Sequence, residues 1–330
     1  MRTVTTTAQA PLAPLAPIAP VRPAIASRVE DLVGSTPLLE LRLRDLAPGA
    51  RVLAKLESAN PMSSSKDRAA LYMLRAAEDR GDLPPGGTVI EATSGNTGIS
   101  LAAFAASRGY RCVIVLPDNA TTERVKLLKA FGAEIVQTPS ALGYPGAIAE
   151  AERLHAATLG SWFPCQHENQ DNVRAHYETT GPEIHSAVAS TGRRIAAFVC
   201  AVGTGGTLTG VARHLKEQDP DVRVIAVEPE KSPILSRGYA GQHRIPGLNG
   251  GFVADTTDVS LIDEVLAVSD EDALLTARRL ARGQGLFAGV SSGAATFAAE
   301  LIARRPEFAD SLVVTLLPDT GERYLSMWEA

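Results

Sequence analysis

Six short apolar runs, separated by longer amphipathic stretches, constrain the fold of this chain more than any other feature. The runs are RVLAKLE (51–57), RCVIVL (111–116), AEIVQ (133–137), IAAFVCAV (195–202), VRVIAVE (222–228) and LVVTLL (312–317). Between them lie KDRAALYMLRAAEDRG (66–81), TTERVKLLKAFG (121–132) and EDALLTARRLARGQG (271–285), each stopping at a glycine as helices often do. Short apolar strands alternating with helices imply α/β architecture, with parallel sheets covered by helices on both faces.

Composition excludes several partners. With 330 residues the chain has length for two compact domains, and a net charge of −5 argues against nucleic acid, which needs a basic face. No apolar run approaches the roughly 18 residues of a membrane span. The three cysteines, Cys112, Cys165 and Cys200, form no CxxC pair, so a zinc site has no cysteine basis and no metal is expected. Cys112 and Cys200 sit in strand-like runs and read as buried thiols, which makes the cytoplasm the default compartment. Residues 1–27 stand apart: prolines at 11, 14, 17, 20 and 23 repeat every third residue. A polyproline II helix would align them on one edge, as a docking strip, but a segment that cannot build a core reads first as a disordered tail. Repeated proline is also a poor apolar region for a signal peptide.

In parallel α/β sheets, ligands bind beyond the carboxyl ends of the strands, where loops enter helices. Three glycine- and serine-rich turns fall there: EATSGNTGISLA (91–102), CAVGTGGTLTGVA (200–212) and AGVSSGAATFAAE (288–300). The turn Gly203, Thr204, Gly205, Gly206, Thr207 follows a strand and opens a helix, offering backbone amides and two hydroxyls to a phosphate. It lacks the third glycine of a dinucleotide fingerprint, where Leu208 stands, and the Lys-Ser/Thr pair of a P-loop, so a smaller phosphate ester is expected. GVSSG (289–293) matches a hydrolase nucleophile elbow, but the last histidine, His243, precedes Ser291, and that fold needs its histidine afterwards. TSGNTG (93–98) gives hydroxyls, an amide and helix-start N–H groups suited to a carboxylate. Lys66 stands behind three serines at a helix start, where the local positive dipole disfavours its ammonium form. A lysine, a small-phosphate cradle and a carboxylate cradle together point to pyridoxal 5′-phosphate.

These motifs, in this order, resemble the cysteine synthase (O-acetylserine sulfhydrylase) and cystathionine β-synthase family of pyridoxal phosphate enzymes, from VGSTPLLEL (33–41) to LPDTGERYLS (317–326). The resemblance implies a two-domain fold-type II enzyme, tryptophan synthase β-like: a larger cofactor domain from 28–58 and 171–330, and a smaller, mobile substrate domain from 59–170. It makes Lys66, in NPMSSSKDR, the Schiff-base lysine and Asn96 the partner of the cofactor's ring hydroxyl. Thr93, Ser94 and Thr97, with Asn96 and Gln166, hold the substrate carboxylate. Ser291 faces the pyridine nitrogen. A serine there cannot keep that nitrogen protonated as an aspartate would, which favours β-elimination followed by β-addition over racemisation or transamination.

The expected reaction is β-replacement on an activated L-serine, with O-acetylserine and sulfide giving cysteine and acetate. Lys66 removes the α-proton. Synthesis of another β-substituted alanine is the alternative: O-phosphoserine-dependent cysteine, 2,3-diaminopropionate, cystathionine or cyanoalanine. Three departures bear on that choice: MSSS before Lys66, His167 where the family usually has an aromatic residue, and Asn249 in HRIPGLNGGF (243–252). Arg244 in that loop reads as a solvated arginine, its alternative being a contact to a phosphate leaving group. The resemblance also implies a homodimer and a possible contact with the serine acetyltransferase C-terminal tail. An idle relative that only binds the cofactor is disfavoured by intact Lys66, Asn96 and Ser291.

Overall fold

The computed structural model describes Pro23 and residues 25–328; the proline strip expected at 11–23 lies almost wholly outside the described residues. Ten strands form two sheets. The first has six strands in the order β1 (Leu38–Leu41), β2 (Arg51–Leu56), β10 (Leu312–Leu317), β7 (Ile195–Ala201), β8 (Arg223–Pro229), β9 (Glu264–Val268). The second has four, in the order β5 (Glu134–Thr138), β4 (Arg111–Pro117), β3 (Thr88–Ala92), β6 (Ser161–Trp162). Every pairing is parallel except β1 with β2, so one edge of the larger sheet departs from the expected pattern.

The side-chain period of two explains why these runs are apolar throughout. On β7, Ala197 and Val199 pack with α9 (Asp270–Gln284) and α10 (Val290–Ala303), whereas Phe198 and Cys200 pack with α6 (Gly181–Ala189) and α7 (Gly206–Gln218). The smaller sheet repeats the plan. Val89 and Ile114 meet α1 (Lys66–Arg80) and α2 (Asn96–Arg108), while Ile90 and Val113 meet α4 (Gly143–Ala157). Both faces of each sheet are covered, as the sequence implied. The helices expected at 66–81 and 271–285 end where glycines Gly81 and Gly285 take left-handed backbone, at φ 78° and 70°. The third, α3 (Thr122–Ala130), stops two residues before its glycine.

One buried charge cluster fixes the start of α1. Arg68, fully buried, donates to Glu57 (2.7 Å) and to Glu183 (2.7 Å), and Lys55 pairs with Glu183 at 2.7 Å. These residues come from α1, the segment after β2, β2 itself and α6, so the cluster ties four parts of the chain together.

Candidate active site

Lys66 is the first residue of α1, as expected. Its position is set by backbone contacts to the loop after β10, where Ser65 N–H donates to the Pro318 carbonyl at 2.8 Å and Ser64 bridges to Asp319. Gly289, just before α10, donates to the Asp319 carbonyl at 3.2 Å. Residues 318–320 therefore lie between the starts of α1 and α10, and bring Lys66 and Ser291 to one cleft of about 360 Å³.

The cleft receives the carboxyl ends of strands from both sheets. Thr93, Ser94, Gly95, Asn96 and Thr97 line it where β3 passes into α2, and Gly203, Thr204, Gly205 and Thr207 line it where β7 passes into α7. Gly206 does not line it; a side chain there would run into Asn172, so its place in the turn is steric. Gly205 has φ of 84°, and a Cβ on it would strike Thr257, so only glycine fits. The turn is held from behind: Asn172 donates to the Thr204 hydroxyl at 3.0 Å, and the Thr207 hydroxyl meets His176 Nε2 at 3.1 Å. His176 is fully buried, and burial with the nearby Lys66 charge holds its imidazole neutral, at about 3.

Burial also lowers the Lys66 ammonium below its ordinary value, against the opposing pull of Asp319. Its Nζ lies 3.4 Å from the Ser65 hydroxyl. Thr97 donates to Gln166 Oε1 at 2.6 Å, so the two expected carboxylate ligands reach the cleft already joined. Asn96 donates to Asp319 at 2.7 Å and accepts from Arg323, leaving one N–H and one lone pair for a ligand. Ser291, the second residue of α10, is buried in the cleft wall.

Several lining residues were not singled out from the sequence. Asp319 is buried, accepts from Asn96 and Tyr324, and burial raises its carboxyl above the usual range. Its signal was available in LPDTGERYLS, a motif that carried the resemblance without being given a role. Arg124 lines the cleft and lies over the Tyr324 ring at 5.5 Å, whereas Arg244 is exposed and outside the lining. Tyr144 comes from α4, with no motif around it. The three departures behave differently: Ser65, His167 and Asn249 all line the cleft, and Asn249 is also bound to the Ser232 carbonyl at 2.8 Å.

This donor set fits pyridoxal phosphate. The glycine turn leaves backbone room at a helix start, and the deprotonation-prone lysine lies across from it in the same cavity. A family model described as pyridoxal-phosphate dependent enzyme matches residues 29–319. A probable cysteine synthase of Bacillus subtilis (strain 168) is 47% identical over 302 residues, 92% of this chain and 97% of its own. Among solved structures, O-ureido-L-serine synthase superposes with a TM-score of 0.88 at 41% identity, covering 93% of this chain and 96% of its own. A cysteine synthase from Entamoeba histolytica gives 0.89 at 38%, covering 97% and 95%. Fold, cleft and relatives agree: this chain belongs to the pyridoxal-phosphate dependent enzymes, and pyridoxal phosphate is its cofactor.

Proposed function

We propose that the protein catalyses β-replacement on an activated L-serine, with O-acetyl-L-serine and sulfide giving L-cysteine and acetate. The observation that carries this reading is the Lys66 amine, eased toward its neutral form by burial, in one cleft with a carboxylate cradle and a phosphate-sized turn. The cysteine synthases of Bacillus subtilis and Entamoeba histolytica support the choice of donor and acceptor. Bound pyridoxal phosphate supplies an electron sink that acidifies the α-proton and lets a β-substituent leave.

The chain's own residues do the rest. Gly203 to Thr207 hold the phosphate through backbone amides and two hydroxyls, and Ser291 faces the ring nitrogen without protonating it. Asn96 uses its remaining N–H toward the ring hydroxyl. Thr93, Ser94, Thr97 and Gln166 bind the substrate carboxylate, which orients the α-proton toward Lys66. Lys66, released by the substrate amine, takes that proton at Nζ and returns it after the acceptor has added. Asp319, buried and close to Lys66 in charge, keeps the amine supplied with a counter-charge when it is protonated. Residues 59–170 form a smaller domain that closes on the substrate and excludes water. The reading includes a cytoplasmic homodimer whose cleft can also take the C-terminal tail of serine acetyltransferase.

A second reading, synthesis of another β-substituted alanine, is favoured by His167 in the cleft wall and by the likeness to O-ureido-L-serine synthase. One titration separates donors: the absorbance of the holoenzyme is followed as O-acetylserine, then O-phosphoserine, is added without a nucleophile. A stable red shift with O-acetylserine alone is expected. A shift only with O-phosphoserine would transfer the reading to that donor, and no shift with either would end it. Replacing Gln166 with alanine is expected to raise KM for the donor about tenfold, the value of a hydrogen bond to a charged group, with a smaller effect on kcat. Steady-state kinetics with varied O-acetylserine check this.

A further inference from the structure

A second cavity of about 160 Å³ adjoins the cleft and shares Tyr144, Gln166 and His167 with it. Three carboxyl groups line it, Glu91, Glu168 and Asp255, and no lysine or arginine does. Glu168 and Asp255 are exposed, whereas Glu91, on β3, is 1% exposed. Glu91 Oε1 accepts from the Ala92 N–H at 3.0 Å, but Oε2 has no hydrogen-bond partner among the described residues. The remaining walls are aromatic: His167 stacks edge-on to Tyr144 at 5.5 Å and tilts against Phe252 at 5.1 Å, with Phe163 alongside. Burial, with the Lys66 charge, holds the His167 imidazole at about 4, so it adds no positive charge at neutral pH.

We infer that this side cavity seats an ammonium group, and that the enzyme accepts a small amine-bearing thiol as nucleophile; the second half rests on the β-replacement reading above. Carboxyl groups and aromatic faces without a competing cation suit an ammonium and repel an anion. A bare carboxyl oxygen in the wall is the partner an ammonium would satisfy. The reaction balances without a further reactant. The thiol sulfur bonds to the β-carbon, acetate leaves with the electron pair of the broken C–O bond, and the thiol proton goes to solvent. Lys66 removes and returns the α-proton.

The seat should register as proton release. Burial raises Glu91 to about 8, opposed by the backbone N–H groups of Ala92, Gln166 and Cys165, so the group is neutral below that pH. An ammonium beside it favours the carboxylate, and a proton leaves as the amine enters. The groups facing Glu91 include Cys112 from β4, Tyr144 from α4, and Cys165, Glu168 and Asp255 from the loops. Cys112 and Cys165 are both pushed by burial to about 12 and stay protonated, as does Tyr144, so they do not release that proton.

Two measurements on the holoenzyme test the inference. With O-acetylserine as donor, kcat/KM is compared for cysteamine (2-aminoethanethiol), 2-mercaptoethanol and mercaptoacetate, each corrected to thiolate concentration. Cysteamine is expected to lead 2-mercaptoethanol by about tenfold, as for a desolvated ammonium on aromatic faces. Glu91→Gln should remove most of that lead and leave the sulfide rate unchanged. Calorimetry of propylamine binding, in two buffers of different ionisation heat at pH 7, should report net proton release in the parent and none in Glu91→Gln. If Glu91→Gln does not fold, Asp255→Asn on the exposed rim should lower the cysteamine preference instead. Equal use of cysteamine and 2-mercaptoethanol by the parent, or propylamine binding without proton release, overturns the inference. Absence of turnover with every nucleophile overturns the β-replacement reading, while the calorimetry still decides whether the cavity seats an amine.

Discussion

Replacing Lys66 with alanine is expected to lower turnover by about three orders of magnitude, because no other amine stands at the α-proton. The alternatives in the cleft are poor bases. His167 is held at about 4, Asp319 is tied to Asn96 and Tyr324, and Tyr144 is pushed far above its ordinary value by burial. The purified variant should also lack the visible absorbance of the lysine-linked cofactor, while its far-UV circular dichroism matches the parent. Steady-state assay and an absorbance spectrum check both halves. A variant turning over at the parent's rate would remove Lys66 from the reaction. The pH profile adds a sign. Burial lowers the Lys66 ammonium, so the free amine is available at lower pH than for an exposed lysine, and activity should fall as pH drops through that lowered value.

The largest stability effect is expected at Arg68. Arg68 and Glu57 have fully buried side chains, and Arg68→Leu leaves the Glu57 carboxylate in the interior with Lys55 as its remaining cationic neighbour. Breaking a buried pair from one side costs about 3–5 kcal/mol, read as a lower urea midpoint. Burial alone would raise Glu57; the charge and hydrogen bonds of Arg68 overcome it and hold the carboxyl down at about 2. Because the folded value lies below the ordinary 4.5, the pair's contribution is complete above that pH and is lost as pH falls toward about 2. The variant has no such contribution to lose, since its Glu57 is free to take up a proton. The difference between parent and variant should therefore be greatest near pH 7 and shrink on acidification. A difference constant from pH 7 to pH 3 would show that Arg68 acts by packing rather than charge.

The strands read from the sequence are those buried on both faces, where an unbroken apolar run leaves little ambiguity. All six are present, with ends shifted by one residue at most. The others were illegible for physical reasons. The edge strands β1 and β9 are largely exposed or half-buried, so their pattern is weak. β6 has only two residues, and β3 carries Glu91 in its interior, an ionisable residue in a run where only apolar ones are expected. At the site, motifs disclosed Lys66, the two cradles and Ser291 because each sits where a loop enters a helix. Tyr144 and Arg124 were not legible, since each reaches the cleft from a helix with no local signature. His167 was noticed as a departure, but its neutrality depends on burial and on Lys66, which adjacency in sequence does not reveal.

The place of β10 bears on the order in which the molecule can be built. Strands β3 to β6 all come from residues 88–162, so the smaller sheet can close as soon as that stretch has left the ribosome. The larger sheet cannot. Its β2 and β7 have no bond to each other, and both wait for β10, residues 312–317, to fill the gap between them. Until then the sheet is two separate ribbons with exposed apolar edges, and Lys66 and Ser291 lack the 318–320 segment that lies between them. A nascent chain halted short of residue 312 would thus have a formed small sheet, a sticky gap, and no capacity to hold its cofactor in place.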